Sequence, residues 1–295
     1  MRLAALTGAA AAAGERQRWL LRQSLLLLLS AAALFWLFEH SDLDRIVEAW
    51  FFDPVLQNFP LRRHWLFESV LHQGAKQFAY VGAAACMWLC WQGWQRQLDW
   101  LPPRNALLAA LGMVLIPLGV ATLKQLINRH CPWDMIDFGG FAPYQGLFTA
   151  HPADIKAGVC FPAGHASTGF LWLVWAIALR PAGRQWARRA LLVALAAGIV
   201  LGGARMAQGA HFLSHTLWSL WFAWALSVSL AALVKAEVRV GVCAPGERPL
   251  ANVAAYVGGL HSSHSPGGEV RPYRHPGRSD TALSTRSAGS EAPLS

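Results

Sequence analysis

The chain has 295 residues, with 25 Lys and Arg against 16 Asp and Glu, which gives a formal charge of +9. Only 14% of its residues are charged and 55% are hydrophobic, whereas soluble domains carry about 25% charged residues. This composition excludes a disordered chain and argues against a soluble single domain, so we expect a membrane protein. The basic balance does not indicate nucleic-acid binding, because the arginines cluster at the ends of apolar runs, where such residues fix membrane orientation.

Six apolar segments approach the length of about 20 residues that a membrane-spanning helix needs. In chain order they cover residues 19–38, 78–94, 106–127, 163–179, 190–204 and 212–234. The first segment begins like a signal peptide, but its apolar residues continue to Phe38, which favours an uncleaved anchor. The sequence therefore predicts an all-α fold, a six-transmembrane-helix bundle over residues 19–235.

The basic residues also predict the orientation of the bundle. Arginines precede the first span, lie between the second and third and between the fourth and fifth, and follow the sixth together with a lysine. Because loops rich in basic residues stay on the cytoplasmic side, both termini, including the segment 1–18, are predicted to be cytoplasmic. The segments 39–77, 128–162 and 205–211 then face outward, which is the periplasmic side of a bacterial inner membrane.

Two regions outside the spans have their own character. In the outward segment 39–77, apolar residues recur at helical spacing, which predicts an amphipathic helix lying along the membrane surface. These residues are Leu43, Ile46, Val47, Trp50 and Phe51. Gly, Ser, Pro and Arg dominate residues 236–295, which predicts a disordered cytoplasmic tail.

Strongly polar residues cluster at the outward ends of three predicted spans. Lys124 ends the third span, His165 begins the fourth, and Arg205, His211 and His215 lie where the fifth ends and the sixth begins. A charged side chain inside a membrane is costly, so such residues suggest a function. Lys and Arg can neutralise a phosphoryl group, and two histidines can divide the roles of nucleophile and general acid. The pattern therefore indicates phosphate chemistry.

The order and spacing of these residues resemble the type 2 phosphatidic acid phosphatase superfamily, which also includes the vanadium haloperoxidases. Its pattern is Lys-x6-Arg-Pro, Pro-Ser-Gly-His and Ser-Arg-x5-His-x3-Asp, and the resemblance covers about residues 75–235. It implies that His211 is a nucleophile that forms a phosphohistidine and that His165 is the general acid. It also implies phosphate binding by Lys124, Arg205 and the backbone N–H of Gly164, with no metal or other cofactor.

Four positions depart from that pattern. Cys131 stands in place of an Arg, Ala163 and Ala204 each replace a Ser, and His215 replaces the Asp that orients the nucleophile. A neutral His215 can accept a hydrogen bond from His211 and fix its tautomer, although it stabilises an imidazolium less than a carboxylate does. We therefore count His215 among the candidate catalytic residues.

Neighbouring residues are candidates to replace the groups that are missing at these positions. Arg129 or His130 can bind the phosphate in place of the family arginine at Cys131, and we count Arg129 as phosphate-binding. Asp134 is a candidate for the missing carboxylate. Cys131 and Cys160 lie next to the first and second motifs in the outward loop, where a disulfide can form. A bridge would hold the two motifs together, and two free thiols are the alternative.

The sequence predicts a phosphatase that hydrolyses a lipid phosphate or pyrophosphate at the outer face of the inner membrane. Its predicted partners are this lipid substrate and the bilayer, without nucleic acid. A lipid phosphotransferase, an inactive family member and a transporter remain alternatives. Two further alternatives concern single residues: Lys124 and Arg205 as membrane anchors, and a metal site formed by the three histidines, which these two cations would disfavour.

Overall fold

The computed structural model describes residues 2–65, 74–147, 149–150, 152 and 154–240. Within these ranges the chain is helical, with two isolated β-bridges and no strand, which confirms the all-α class. The helices are α1 (Arg2–Glu39), α2 (Leu43–Ala49), α3 (Ala75–Trp94), α4 (Pro103–Leu126), α5 (Gly164–Phe170), α6 (Leu173–Ala178), α7 (Arg184–Ala207) and α8 (Leu213–Leu233). Two 3-10 turns, Pro132–Asp134 and Ile136–Phe138, lie between α4 and α5.

Among the residues that the structure describes, four helices are long and apolar enough to cross a membrane: Ala11–Glu39 within α1, and the whole of α4, α7 and α8. They overlap the first, third, fifth and sixth predicted spans, so the membrane character is supported, but the count of six spans is not confirmed. Helix α3 covers the second predicted span with 20 residues. It is not one of the four, because Lys and Gln near its ends lower its hydropathy.

The fourth predicted span is not one continuous helix. It is divided into α5 and α6, of seven and six residues. At the break the backbone hydrogen bonds tighten, with Val174 N bonding Leu171 O and Trp175 N bonding Trp172 O, both three residues back. Every residue of α6 is buried, so this segment is enclosed by protein and does not need the length of an independent span.

Small residues bring α5 and α8 close to α7. A Cβ added to Gly198 would lie 2.1 Å from Cδ1 of Phe170 on α5, and one added to Gly202 would lie 2.5 Å from Cγ2 of Thr216 on α8. Glycines four residues apart allow helix backbones to approach in this way inside membranes. As a result, the end of α5 and the first turn of α8 are packed against the C-terminal half of α7.

Helix α2 lies in the predicted interfacial segment and buries two carboxylates in the protein. Asp44 and Glu48 are 2% and 0% exposed, whereas Ile46 and Trp50 are 55% and 74% exposed. The polar face is turned into the protein because Asp44 bonds to the start of α8. The apolar side chains of Ile46 and Trp50 are left on the outer face, and the interfacial position of this helix stays a prediction. Residues 66–73 of the segment lie outside the described ranges.

The first residues of the predicted tail rest on the bundle. The Asn105 side chain donates to Glu237 O at 3.0 Å and accepts from Glu237 N at 2.9 Å. Arg239 forms a 2.8 Å ion pair with Glu15 of α1. Residues 241–295 lie outside the part of the chain that the structure describes, so disorder there stays a prediction.

Candidate active site

The turn between α7 and α8 explains the spacing of Arg205 and His211. Gly209 has φ +73°, its N–H donates to Met206 O at 2.8 Å, and the N–H of Ala210 donates to Arg205 O at 2.9 Å. This pair of hydrogen bonds is the Schellman ending of a helix, which favours glycine at the left-handed position. The chain reverses there, so Arg205 in the last turn of α7 and His211 after the reversal lie at the same end of the bundle.

Two histidines form the buried centre of the site. His211 is 3% exposed and precedes α8, and His215 is 5% exposed in the first turn of α8. Their ring centroids are 5.9 Å apart at 63°. Nδ1 of each ring is buried and has no hydrogen-bond partner, and His215 instead hydrogen-bonds the Cys160 backbone. The orienting hydrogen bond expected between the two rings is therefore not formed in this structure.

The surroundings of His211 hold it in the neutral form. Burial lowers the pKa of His211 well below its ordinary value of 6.5, and nearby basic groups lower it further. In order of decreasing effect these groups are His215, Lys124, Arg205 and His165. A neutral imidazole has a lone pair for attack on phosphorus. The structure thus brings together the residues predicted as nucleophile, general acid and phosphate-binding cations.

Lys124 reaches the beginning of α5 from the last turn of α4. A Cβ added to Gly164, the first residue of α5, would lie 3.6 Å from Lys124 Nζ. The preceding residue, Ala163, donates its backbone N–H to His215 O at 3.2 Å. Residues 161–165 are therefore held between Lys124 and the first turn of α8. This places Gly164 beside Lys124, as expected for two groups predicted to bind the same phosphate.

Arg205 is oriented by two residues that no sequence motif marks. Its Nη1 donates to Gln208 Oε1 at 2.8 Å, and Gln208 Nε2 donates to Arg62 O at 3.1 Å. The Trp133 ring lies 5.9 Å from Cζ of Arg205 and 4.5 Å from Cζ of Arg62. Gln208 is 0% exposed. Its position between Arg205 and His211 is the one signal that the sequence offered for this role.

Arg129 lies beside the site with its guanidinium bound to a loop. Nη2 donates to Leu147 O at 2.6 Å and to Thr149 O at 2.7 Å, while Nε is buried without a hydrogen bond. Its charge acts on His215 and is not among the groups that act on His211. The structure thus places the predicted phosphate ligand at the edge of the cluster, where it bonds the carbonyls of Leu147 and Thr149.

Asp134 does not lie beside the nucleophile. Its Oδ2 accepts from the Cys131 N–H at 3.3 Å and lies 3.9 Å from Nδ1 of His130. These contacts close the 3-10 turn Pro132–Asp134. The suggestion that Asp134 replaces the orienting carboxylate therefore receives no geometric support.

The predicted disulfide is present. Cys131 and Cys160 are bonded, with their Cα atoms 5.3 Å apart and a sequence separation of 29. The N–H of Cys160 also donates to Arg129 O at 2.9 Å. These links join the loop after α4 to the residues just before α5, so the first and second motifs are held side by side.

A buried carboxylate outside the sequence motifs contacts the start of α8. Oδ1 of Asp44 accepts from the Ser214 N–H at 2.8 Å. Its Oδ2 accepts from the Ser214 hydroxyl and, at 3.2 Å, from the Tyr144 hydroxyl. Burial raises the pKa of Asp44 to about 6, and the hydrogen bonds from Ser214 oppose this rise. No local pattern marks Asp44, because Ser214 is 170 residues away.

The three-histidine metal alternative is not supported by the arrangement of side chains. Within the described ranges, no group of three or more His, Cys, Asp or Glu residues is placed to hold a metal ion.

The family-model comparison agrees with the motif resemblance. Residues 105–239 match the family model of the PAP2 superfamily. No curated protein matches the chain. Among solved structures, the chain is similar to the first transmembrane PAP2 type phosphatidylglycerolphosphate phosphatase from Bacillus subtilis, at 19% sequence identity and a TM-score of 0.41. That match covers 73% of this chain and 94% of the other.

Proposed function

We propose, from the premise that residues 105–239 belong to the PAP2 superfamily, that this protein hydrolyses a lipid phosphate or pyrophosphate through a phosphohistidine at His211. One observation carries the proposal. His211 is buried and neutral, and the charges of Lys124, Arg205 and His165 lie close enough to lower its pKa further. Three elements of the fold deliver these groups, α4, the start of α5, and the α7–α8 connection.

Binding in this proposal depends on the two cations. Lys124 and Arg205 neutralise the phosphoryl oxygens, and Arg205 can do so with two parallel hydrogen bonds. The Gly164 N–H contributes as the family resemblance implies, and it lies next to the Lys124 ammonium. Arg129 is proposed to assist phosphate binding through its positive charge, since its Nη2 is bound to loop carbonyls.

The chemical steps follow from these positions. His211 attacks the phosphorus atom, the bond to the lipid oxygen breaks with its electron pair on that oxygen, and His165 donates a proton to the leaving group. Water then attacks the phosphohistidine, His165 takes a proton from that water, and the N–P bond breaks. Phosphate is released with both histidines restored. Because Nδ1 of His211 is buried and out of reach of a substrate, we take Nε2 as the attacking nitrogen.

The lipid nature of the substrate follows from the site's place in the bundle. Three helices that are long and apolar enough to cross a membrane carry Lys124, Arg205 and His215 at their ends. A phosphate ester bound by these residues would therefore lie at the surface of the bilayer. With the orientation that the arginines predict, this surface is the outer face of the inner membrane and both termini are cytoplasmic.

The test is phosphate release by the full chain purified in detergent, with EDTA present. Phosphatidate, phosphatidylglycerol phosphate and undecaprenyl pyrophosphate are the substrates to compare. We expect activity in EDTA and a loss of at least about 1,000-fold for His211→Ala, with similar activity for wild type and His40→Ala, a histidine at the exposed end of α1. An active His211→Ala protein would contradict the mechanism, and activity abolished by EDTA would favour a metal enzyme.

A further inference from the structure

We infer that Asp44 is a positioning residue for this active site, an inference that rests on the function proposed above. Asp44 lies on α2, outside the residues that match the PAP2 superfamily. It is 2% exposed, and its carboxylate accepts three hydrogen bonds from two residues, Ser214 and Tyr144. A buried carboxylate bonded in this way is directed at a specific partner, and here the partner is the first turn of α8.

The first connection runs through the backbone. Ser214 is the second residue of α8, where a helix has N–H groups without acceptors inside the helix. Phe212, at the N-cap position, supplies no side-chain acceptor. Asp44 takes that role from another helix and also places a negative charge where the helix dipole favours it. Because Ser214 lies between His211 and His215, fixing it fixes the backbone that carries both histidines.

The second connection runs through side chains. The Tyr144 hydroxyl donates to Asp44 Oδ2 at 3.2 Å, and the Tyr144 ring packs edge-on against Phe212 with centroids 5.5 Å apart. Phe212 in turn packs edge-on against His215, at 5.4 Å. Asp44 therefore reaches the segment 211–215 by two independent routes, neither of which involves Asp134 or the disulfide.

This arrangement compensates for what the segment lacks. Neither His211 nor His215 is held through Nδ1. His215 bonds the Cys160 backbone, and the orientation of His211 depends on the backbone at the start of α8. A reacting group displaced by about 1 Å can lose on the order of 100-fold in rate. Asp44 does not touch the reacting atoms, and its effect therefore falls on the catalytic step and not on substrate binding.

The experiment compares Asp44→Ala, Asp44→Asn and Ser214→Ala in the full chain, with phosphatidate in mixed micelles as the substrate. For Asp44→Ala we expect kcat to fall about 10- to 100-fold while KM stays within about twofold. Asp44→Asn keeps an oxygen that can accept from the Ser214 N–H, so it should recover part of kcat. Asp42→Asn is the matched control, an exposed carboxylate on the same segment whose partner is Arg45, and it should behave as wild type.

The outcomes separate this inference from the proposed function. If His211→Ala abolishes activity but folded Asp44→Ala retains wild-type kcat, the inference is wrong and the proposed function stands. If activity falls only in proportion to the folded protein recovered, Asp44 is merely structural and the inference is also wrong. Should Asp44→Ala fail to fold, Ser214→Ala and Tyr144→Phe must lower kcat at unchanged KM, and normal kcat in both would overturn it. An active His211→Ala protein would instead contradict the proposed function.

Discussion

Basic side chains are arranged differently at the two ends of the bundle. At the end formed by the loop after α6, the N-terminal half of α1 and the residues after α8, two arginines each have their own partner. Arg180 lies 5.6 Å from the Trp19 ring and donates to Val238 O at 2.6 Å, and Arg239 pairs with Glu15. At the opposite end, Lys124 and Arg205 interact as like charges, and both act on His211.

The difference shows how to separate two uses of positive charge in one membrane protein. A cation such as Arg180 or Arg239, whose partners lie away from the buried histidines, contributes to orientation and stability, so its loss should have only a local effect. Cations that share one buried histidine repel one another, and an anion such as phosphate would stabilise them. The formal charge of +9 is thus divided between residues that anchor the bundle and a few that can bind a ligand.

The largest expected effect comes from replacing a basic residue at the active-site end of the bundle, compared with the same replacement at the opposite end. Lys124→Met and Arg205→Met should each lower kcat/KM for phosphatidate by about 100- to 1,000-fold, the range found when one donor to a developing negative charge is removed. Arg180→Met removes the same charge at the other end and should leave kcat/KM within about twofold of wild type. Steady-state kinetics in micelles measure all three, and equal losses at the two ends would contradict the distinction.

A smaller effect is expected from breaking the Cys131–Cys160 disulfide, which joins the first and second motifs. A disulfide that closes a loop of about 30 residues contributes about 3–4 kcal/mol in the chain-entropy model. Cys131→Ser with Cys160→Ser should therefore lower Tm by several degrees and reduce kcat by about 10-fold, since both motifs contribute to the site. Dithiothreitol should reproduce these changes in the wild type. A further loss when dithiothreitol is added to the double variant would show that another group is responsible.

The smallest expected effect concerns Glu48, one turn after Asp44 and away from the site. Both of its carboxylate oxygens are buried without a hydrogen bond, and burial, followed by the charge of Asp44, raises its pKa from 4.5 to about 9. The folded protein therefore binds more protons than the unfolded chain between pH 4.5 and 9, so the free energy of unfolding falls as pH rises through that window. We expect a loss on the order of 1 kcal/mol or more.

Thermal unfolding in detergent at several pH values measures this slope. Glu48→Gln should flatten the fall in Tm between about pH 5 and pH 9, because the amide does not ionise. Glu15→Gln, at a more exposed carboxylate that pairs with Arg239, should keep the wild-type slope. A wild-type Tm that rises with pH across this window would show that Glu48 is ionised in the folded protein.

Much of the candidate site could be predicted because its signals are local in sequence. The Arg-x5-His spacing reflects a single helix ending at Gly209, and the two cysteines flank motifs that must meet. The roles of Gln208 and Trp133 in orienting Arg205 could not be predicted, since they depend on how the turn after α7 meets the loop after α4. Nor could the division of the fourth span into α5 and α6, because hydropathy does not record a change in backbone hydrogen bonding.

The sequence by itself determined the membrane character, the all-α class and the residue types that suit phosphate chemistry, and four of its six predicted spans overlap long apolar helices in the described residues. These follow from hydropathy and from spacing along one chain. Only the tertiary structure decided which carboxylate contacts the start of α8. Asp44 rather than Asp134 reaches the start of α8, and the contact joins residues 170 positions apart. A hydrogen bond across that separation is fixed by helix packing, which no local pattern of residues reports.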